Sequence, residues 1–425
     1  MSEHDDMEGT RFKLYPQPSF LDRFADPEVV YVSSAAGSIM EGPADDRMYT
    51  MFPIDKPEPY WIAPNPTQEA LAPPWDGDIL MPAQPDEEGH FDHLEPGTPQ
   101  FEAAHLFGCV RFVLDIWEGY FGRRIPWHSE RHYDRIELSI LPSLDNAYSG
   151  YGFIEVGGDF KHGGFKPFSL NFDVIAHEVG HAIIYSEVGV PDPSVQQGEY
   201  FGFHESASDL VALLSSLHFE SVIDELLDVT SGNLYAINNV IRMGELSENA
   251  QIRIAANDVR LSRFARGWTK EHRLSEPLTG AFFDIFVDLF HECLLDYGAI
   301  DRRVEEASDE LLATKEYAPI MQGMFDEAFA KNPEDFWRAL VDARDILGTF
   351  LADTWQRLSA NDLTYANVAD AFLAVDFEHT GGRFESIIAG NFKMRDIGLV
   401  RVGPQLAPLD KDSHSNSIRT QLPVD

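Results

Sequence analysis

Residues 173 to 183 read DVIAHEVGHAI, with His177 and His181 four positions apart and Glu178 beside the first. On a helix, residues i and i+4 stand one above the other on the same face. Two imidazoles placed that way can share one metal ion, and a carboxylate next to them suits a general base. Such a pentapeptide arises by chance in about 4% of chains of this length and composition, so it needs support from elsewhere in the chain. Catalytic zinc takes three protein ligands and keeps one position for water. The stretch FHESASDLVALL (203–214) offers the third ligand: Glu205, 24 residues after His181, reads as an acid in the first turn of an amphipathic helix. Asp209 follows on the same face, where it can accept the second N–H of a ligating histidine and fix its tautomer. The plainer readings are a first-turn acid that satisfies the helix dipole and a solvated helix residue.

These segments resemble the thermolysin-like family of zinc metallopeptidases, the gluzincin group that joins HExxH to a downstream glutamate. DVIAHEVGH is similar to the family's DVVAHE..H, and ESASD to its EA.SD. DNAYSGYGFIEVGGD (145–159) is similar to its Asn-Ala segment on the edge strand lining the cleft, and HRLS (272–275) to its H.NS. The matches occur in family order across residues 101–376.

The resemblance implies one catalytic zinc held by His177, His181 and Glu205, with Glu178 as general base on zinc-bound water. It makes Asp209 the partner of His177, and His272 the donor to the oxyanion. Asn146 and the backbone of Ala147 would hold the substrate chain, and Arg242 would face it. Phe165, Phe168 and Val174 would line the pocket for the side chain after the scissile bond. The implied activity is an endopeptidase cutting before hydrophobic residues, medium-sized ones such as Val or Leu ahead of Phe or Trp.

The chain also departs from the family. Gln196 stands where an active-site tyrosine is usual, with Tyr200 nearby, and Gly267 stands where an acid precedes the histidine. Asp173 matches the family's calcium sites, but Ser216 replaces their glutamate, which counts against structural calcium. Two other functions stay open. One is a metal-bearing, peptidase-like binding module with weak turnover. The other is an aminopeptidase, for which SGYGFIEVGG supplies only Glu155 to meet a substrate amine.

The elements that must position these residues point to an α+β, two-lobed peptidase with its metal in the cleft. Residues 1–100 form a Pro-rich N-terminal extension, carrying 15 of the 26 prolines. Proline removes a backbone donor, so irregular chain and short edge strands are expected there, wrapping over the rest through Tyr60, Trp61 and Trp75. Residues 101–212 read as an α/β catalytic lobe with the HExxH helix, 213–395 as a mainly helical lobe, and 396–425 as a polar tail. Leu106, Val110, Val113 and Trp117 mark a long helix ended near Gly122. DRIELSIL (134–141) alternates as a strand does, and YGFIEV (151–156) is a second strand. Asn332 is placed as the N-cap of a helix opening at Pro333, and TYANVADAFLAVD (364–376) as the last helix.

Composition narrows the partners. With 425 residues, 44% of them hydrophobic, the chain can bury a sizeable core. A formal charge of -39 argues against nucleic acid, whose phosphates it would repel. No run of 18 apolar residues reaches membrane-spanning length. The start is acidic and lacks a secretory apolar core, so a cytoplasmic location is expected, non-classical export remaining open. Cys109 and Cys293 sit in apolar helical patterns and read as buried thiols. The expected partner is a peptide or protein substrate.

Overall fold

The computed structural model describes residues 9–60, 71–159, 165–192, 194, 198–234, 242–247, 250–304 and 317–398; for 242–247, 250–254 and 317–318 it describes the backbone alone. The fold is mixed α+β and packs as two compact units. Of the described residues, the first takes the chain up to Gly189 together with Gly244–Ile252; the second takes Val190–Met243 and Arg253 onward.

In the first unit, β1 (Thr10–Leu14) pairs antiparallel with β2 (Glu28–Val32) and lies on α1 (Pro99–Phe121). Thr98 caps α1 by accepting the Phe101 N–H at 3.2 Å, proline opens it, and Gly122 at φ 65° ends it, as its sequence signals require. Gly108 permits the close approach of β1: a Cβ there would meet Leu14 at 2.9 Å and Phe12 at 3.0 Å. A four-stranded sheet runs in the order β3 (Met48–Met51), β4 (Ile136–Ile140), β6 (Phe153–Val156), β5 (Ala147–Gly150). β3, β4 and β6 are parallel, and β5 closes one edge antiparallel to β6. The short pair β7 (Gly158–Asp159) and β8 (Lys166–Pro167) leads through a 3-10 turn, Phe168–Leu170, into α2 (Phe172–Glu187), which packs on α1 and β5.

β4 alternates polar and apolar residues, yet all five are buried. The Pro-rich extension is the reason. Tyr49 and Trp75 hydrogen-bond Glu137, while Lys56 and Tyr60 reach Glu155 on β6, so the polar face is covered by chain that bonds to it. Tyr60 is buried and Trp75 half-buried; Trp61 lies outside the described residues.

The second unit is helical: α3 (Gly198–Ser216), α4 (Glu220–Thr230), α5 (Glu271–Tyr297), α6 (Tyr317–Lys331), α7 (Pro333–Trp355), α8 (Tyr365–Thr380) and α9 (Glu385–Met394). β9 (Arg242–Ser247) and β10 (Ala250–Ile254) pair as a two-stranded ribbon. α3 packs along α5 and so falls with this unit, whereas the sequence reading grouped it with residues 101–212. α5 in turn meets α7 and α9, and Phe282 stands edge-on to Phe372 of α8 and Phe392 of α9 at 5.1 and 5.4 Å.

Two local expectations change here. Asn332 holds the N-cap position of α7, but its side chain makes no cap; it donates to the carbonyls of Ala328 and Ala299, both at 3.4 Å. The helix at 364–376 is not the last. Gly381 at φ 76° ends it, and Asp376 accepts the Phe384 N–H at 3.1 Å, turning the chain into α9. The polar tail lies outside the described residues beyond position 398. Cys109 and Cys293 are free and buried. Among the described residues no helix is long and apolar enough to cross a membrane.

Candidate metal centre

α2 carries the first part of the site. Asn171 accepts the Val174 N–H at 3.3 Å and starts the helix. From there the spacing of the histidines does what helix geometry requires. The His177 and His181 rings stand 4.6 Å apart at 86° to each other. Ligand atoms of His177, Glu178 and His181 lie within 4.8 Å of one another, and all three residues are buried. Two imidazoles and a carboxylate form a nitrogen and oxygen donor set of the kind that holds a metal ion. The described residues hold no second such group.

Neighbouring polar side chains aim this helix. On α1, His105 donates from Nδ1 to the Ser169 carbonyl at 2.7 Å, and Glu102 accepts the Ser169 hydroxyl at 2.7 Å. Both grip the 3-10 turn immediately before α2. His105 Nε2 accepts the Tyr15 N–H at 2.9 Å, which keeps the ring neutral, and burial pushes its pKa down to about 4. Gln17 donates to Asp173, in the first turn of α2, at 3.3 Å. Sequence reasoning missed Glu102 and His105. Their signal was present: two polar residues three apart on the buried stripe of FEAAHLFGCV.

In the second unit, Glu205 is fully buried and Asp209 nearly so, one turn apart on α3. Glu205 is not in a first turn. α3 begins at Gly198, two turns earlier, so the dipole of a helix start does not account for a carboxylate there. His272, in the first turn of α5, sets its Nδ1 2.6 Å from Glu205 Oε2, its side chain 42% exposed against 0% for Glu205. The sequence reading did not foresee this contact. Gly202 lets α3 and α5 come this close: a Cβ would meet Tyr365 Oη at 2.1 Å and the Leu274 backbone at 3.1 Å. Tyr200 is fully buried against His204, and Gln196 lies outside the described residues. Gly267 adopts φ 110°, a conformation in which a side chain is strained, so the family's acid has no easy place there. Ser216 is buried and donates to the Leu213 carbonyl at 2.8 Å.

The other sequence candidates are distributed as follows. Asn146 is exposed just ahead of β5, its carbonyl accepting the Gly157 N–H at 2.9 Å. Ala147 pairs with Val156 on β6, and β5 is the outer strand of its sheet. Phe168 and Val174 are buried near the start of α2, while Phe165 is 47% exposed. Arg242 opens β9, its side chain outside the described residues. Glu155 is fully occupied by Lys56, the Tyr60 N–H at 2.6 Å and the Ser139 hydroxyl at 3.1 Å. Burial raises the Glu155 pKa, and the Lys56 ammonium opposes that rise.

No protein-family profile matches the sequence, and no curated protein matches it. Among solved structures, the precursor of protealysin, a metalloproteinase from Serratia proteamaculans, aligns with 86% of this chain and 90% of its own at 12% identity and a TM-score of 0.46. The functional assignment therefore stands on the residues.

Proposed function

We propose that the chain is a zinc-dependent, thermolysin-like endopeptidase that cuts before hydrophobic residues. The observation that carries this reading is the buried His177, Glu178 and His181 group, its ligand atoms within 4.8 Å on one helix. His177, His181 and Glu205 would hold a single zinc. When bound, zinc acts as a Lewis acid and lowers the pKa of its water toward 7. Glu178 takes a proton from the attacking water and returns it to the leaving nitrogen. Asp209 would accept the N–H of a ligating imidazole, which would raise that ligand's basicity. His272 orients Glu205 through Nδ1, and its Nε2 is the atom that would donate to the developing oxyanion.

The substrate chain would add to the open edge of β5, main chain to main chain, as peptides do at exposed strand edges. Asn146 and Ala147 begin that edge, and Phe165, Phe168 and Val174 would receive the side chain after the scissile bond. Arg242 would face the substrate. The aminopeptidase alternative loses its only candidate for an amine-binding acid, because Glu155 is buried and already bound to Lys56. A non-catalytic module would keep the histidines but has no use for Glu178.

The test is metal analysis of the purified chain with a peptide-library digest, run with and without chelator. One zinc per chain and chelator-sensitive internal cuts support the reading. Cleavage one residue at a time from the amino terminus supports the aminopeptidase instead. Bound zinc without any cleavage supports the binding module.

A further inference from the structure

We propose that Lys56 is a positioning residue for the edge strand β5, which makes the N-terminal segment a working part of the sheet. In the parallel register of β4 and β6, Leu138 faces Ile154 and Ile140 faces Val156, giving one apolar side. The other side carries Glu137, Ser139, Phe153 and Glu155, because strand side chains alternate. Residues of the N-terminal segment close over it. Tyr49 Oη and the Trp75 N–H donate to Glu137 at 2.7 and 2.9 Å. Lys56 and the Tyr60 N–H bind Glu155, and Lys56 Nζ lies 2.9 Å from the centre of the Tyr60 ring, which itself packs on Phe153 at 5.3 Å. The Lys56 and Glu155 side chains are both 0% exposed.

A buried charge pair constrains geometry because neither partner can move to water without the other. Glu155 stands directly opposite Tyr148 of β5. Among the described residues β6 is the one strand that pairs with β5. The pin on Glu155 therefore sets where the open edge of β5 lies. Its consequence for substrate rests on the peptidase reading, in which that edge receives the peptide; its consequence for the strand does not.

The experiment compares wild type with Lys56→Met and Lys56→Arg in the full chain, by amide hydrogen exchange and by steady-state kinetics on a peptide substrate. Lys56→Met is expected to speed exchange in β5 and β6 by about tenfold or more while α2 keeps its wild-type protection. KM is expected to rise several-fold with kcat within about twofold, the mark of lost substrate binding, and Lys56→Arg to restore both. Should Lys56→Met not fold, Lys56→Met/Glu155→Gln removes both charges and carries the same comparison. Unchanged exchange in β5, or equally faster exchange in α1 and α2, overturns the proposal. A wild-type chain without turnover sinks the peptidase reading alone, because the exchange arm still decides the role of Lys56.

Discussion

His272 Nδ1 lies 2.6 Å from Glu205 Oε2, tying the first turn of α5 to the middle of α3. Hydrogen bonds that orient a ligating side chain typically change metal affinity 10- to 100-fold, so His272→Phe should weaken zinc binding by about that much. If His272 only met the oxyanion, zinc affinity would stay at wild type while kcat fell by about 100-fold or more. Zinc titration beside kinetics separates the two roles.

Glu178→Gln and Glu205→Ala should fail in different ways. The first keeps zinc near full occupancy and loses turnover by about 100- to 10,000-fold, the range for removing a general base. The second loses most of its zinc. Full zinc retention in Glu205→Ala would remove it from the ligand set.

Gly202→Ala should destabilise the second unit by about 1–3 kcal/mol through overpacking, since its Cβ would fall 2.1 Å from Tyr365 Oη. Adding Tyr365→Phe removes that oxygen, and part of the loss should return. Additive losses in urea unfolding would show that the two sites do not interact.

Acid should destabilise the chain in a defined window. Burial depresses His105 from 6.5 to about 4, and His291 and His128 likewise to about 4. Each is neutral when folded, so its stabilisation is complete above pH 6.5. It is lost as pH falls toward 4, because the unfolded chain binds the proton first; below 4 it changes no further. Each group contributes a slope of about 1.4 kcal/mol per pH unit. His105→Gln should lower that slope by about one proton, and an unchanged slope would contradict the assignment.

Phe168→Leu would enlarge the proposed pocket. Turnover of substrates with Phe after the cleaved bond should then rise relative to Leu, by about 10- to 200-fold for a difference of about 1–3 kcal/mol. An unchanged ratio would place Phe168 outside the pocket.

Much of the site was legible before any fold. His177, Glu178 and His181 are four residues or fewer apart, so helix periodicity alone brings them to one face, and the structure shows them together. Helix ends at Gly122 and Pro333 were equally local, because caps and breakers act through the residues next to them. Asn332 failed as a side-chain cap because distant and local carbonyls competed for its amide.

What sequence by itself determined was local: which candidate metal-binding side chains share one face of a helix, and where residues such as Gly122 and Pro333 bound one. These depend on residue type and short spacing. Tertiary structure decided what each polar group answers to. Glu205 met His272 across 67 positions of chain, and Lys56, unremarked in a Pro-rich stretch, became the partner that buried Glu155 across 99. Burial made those pairings obligatory, since a charge removed from water must find its counterpart wherever the fold brings one.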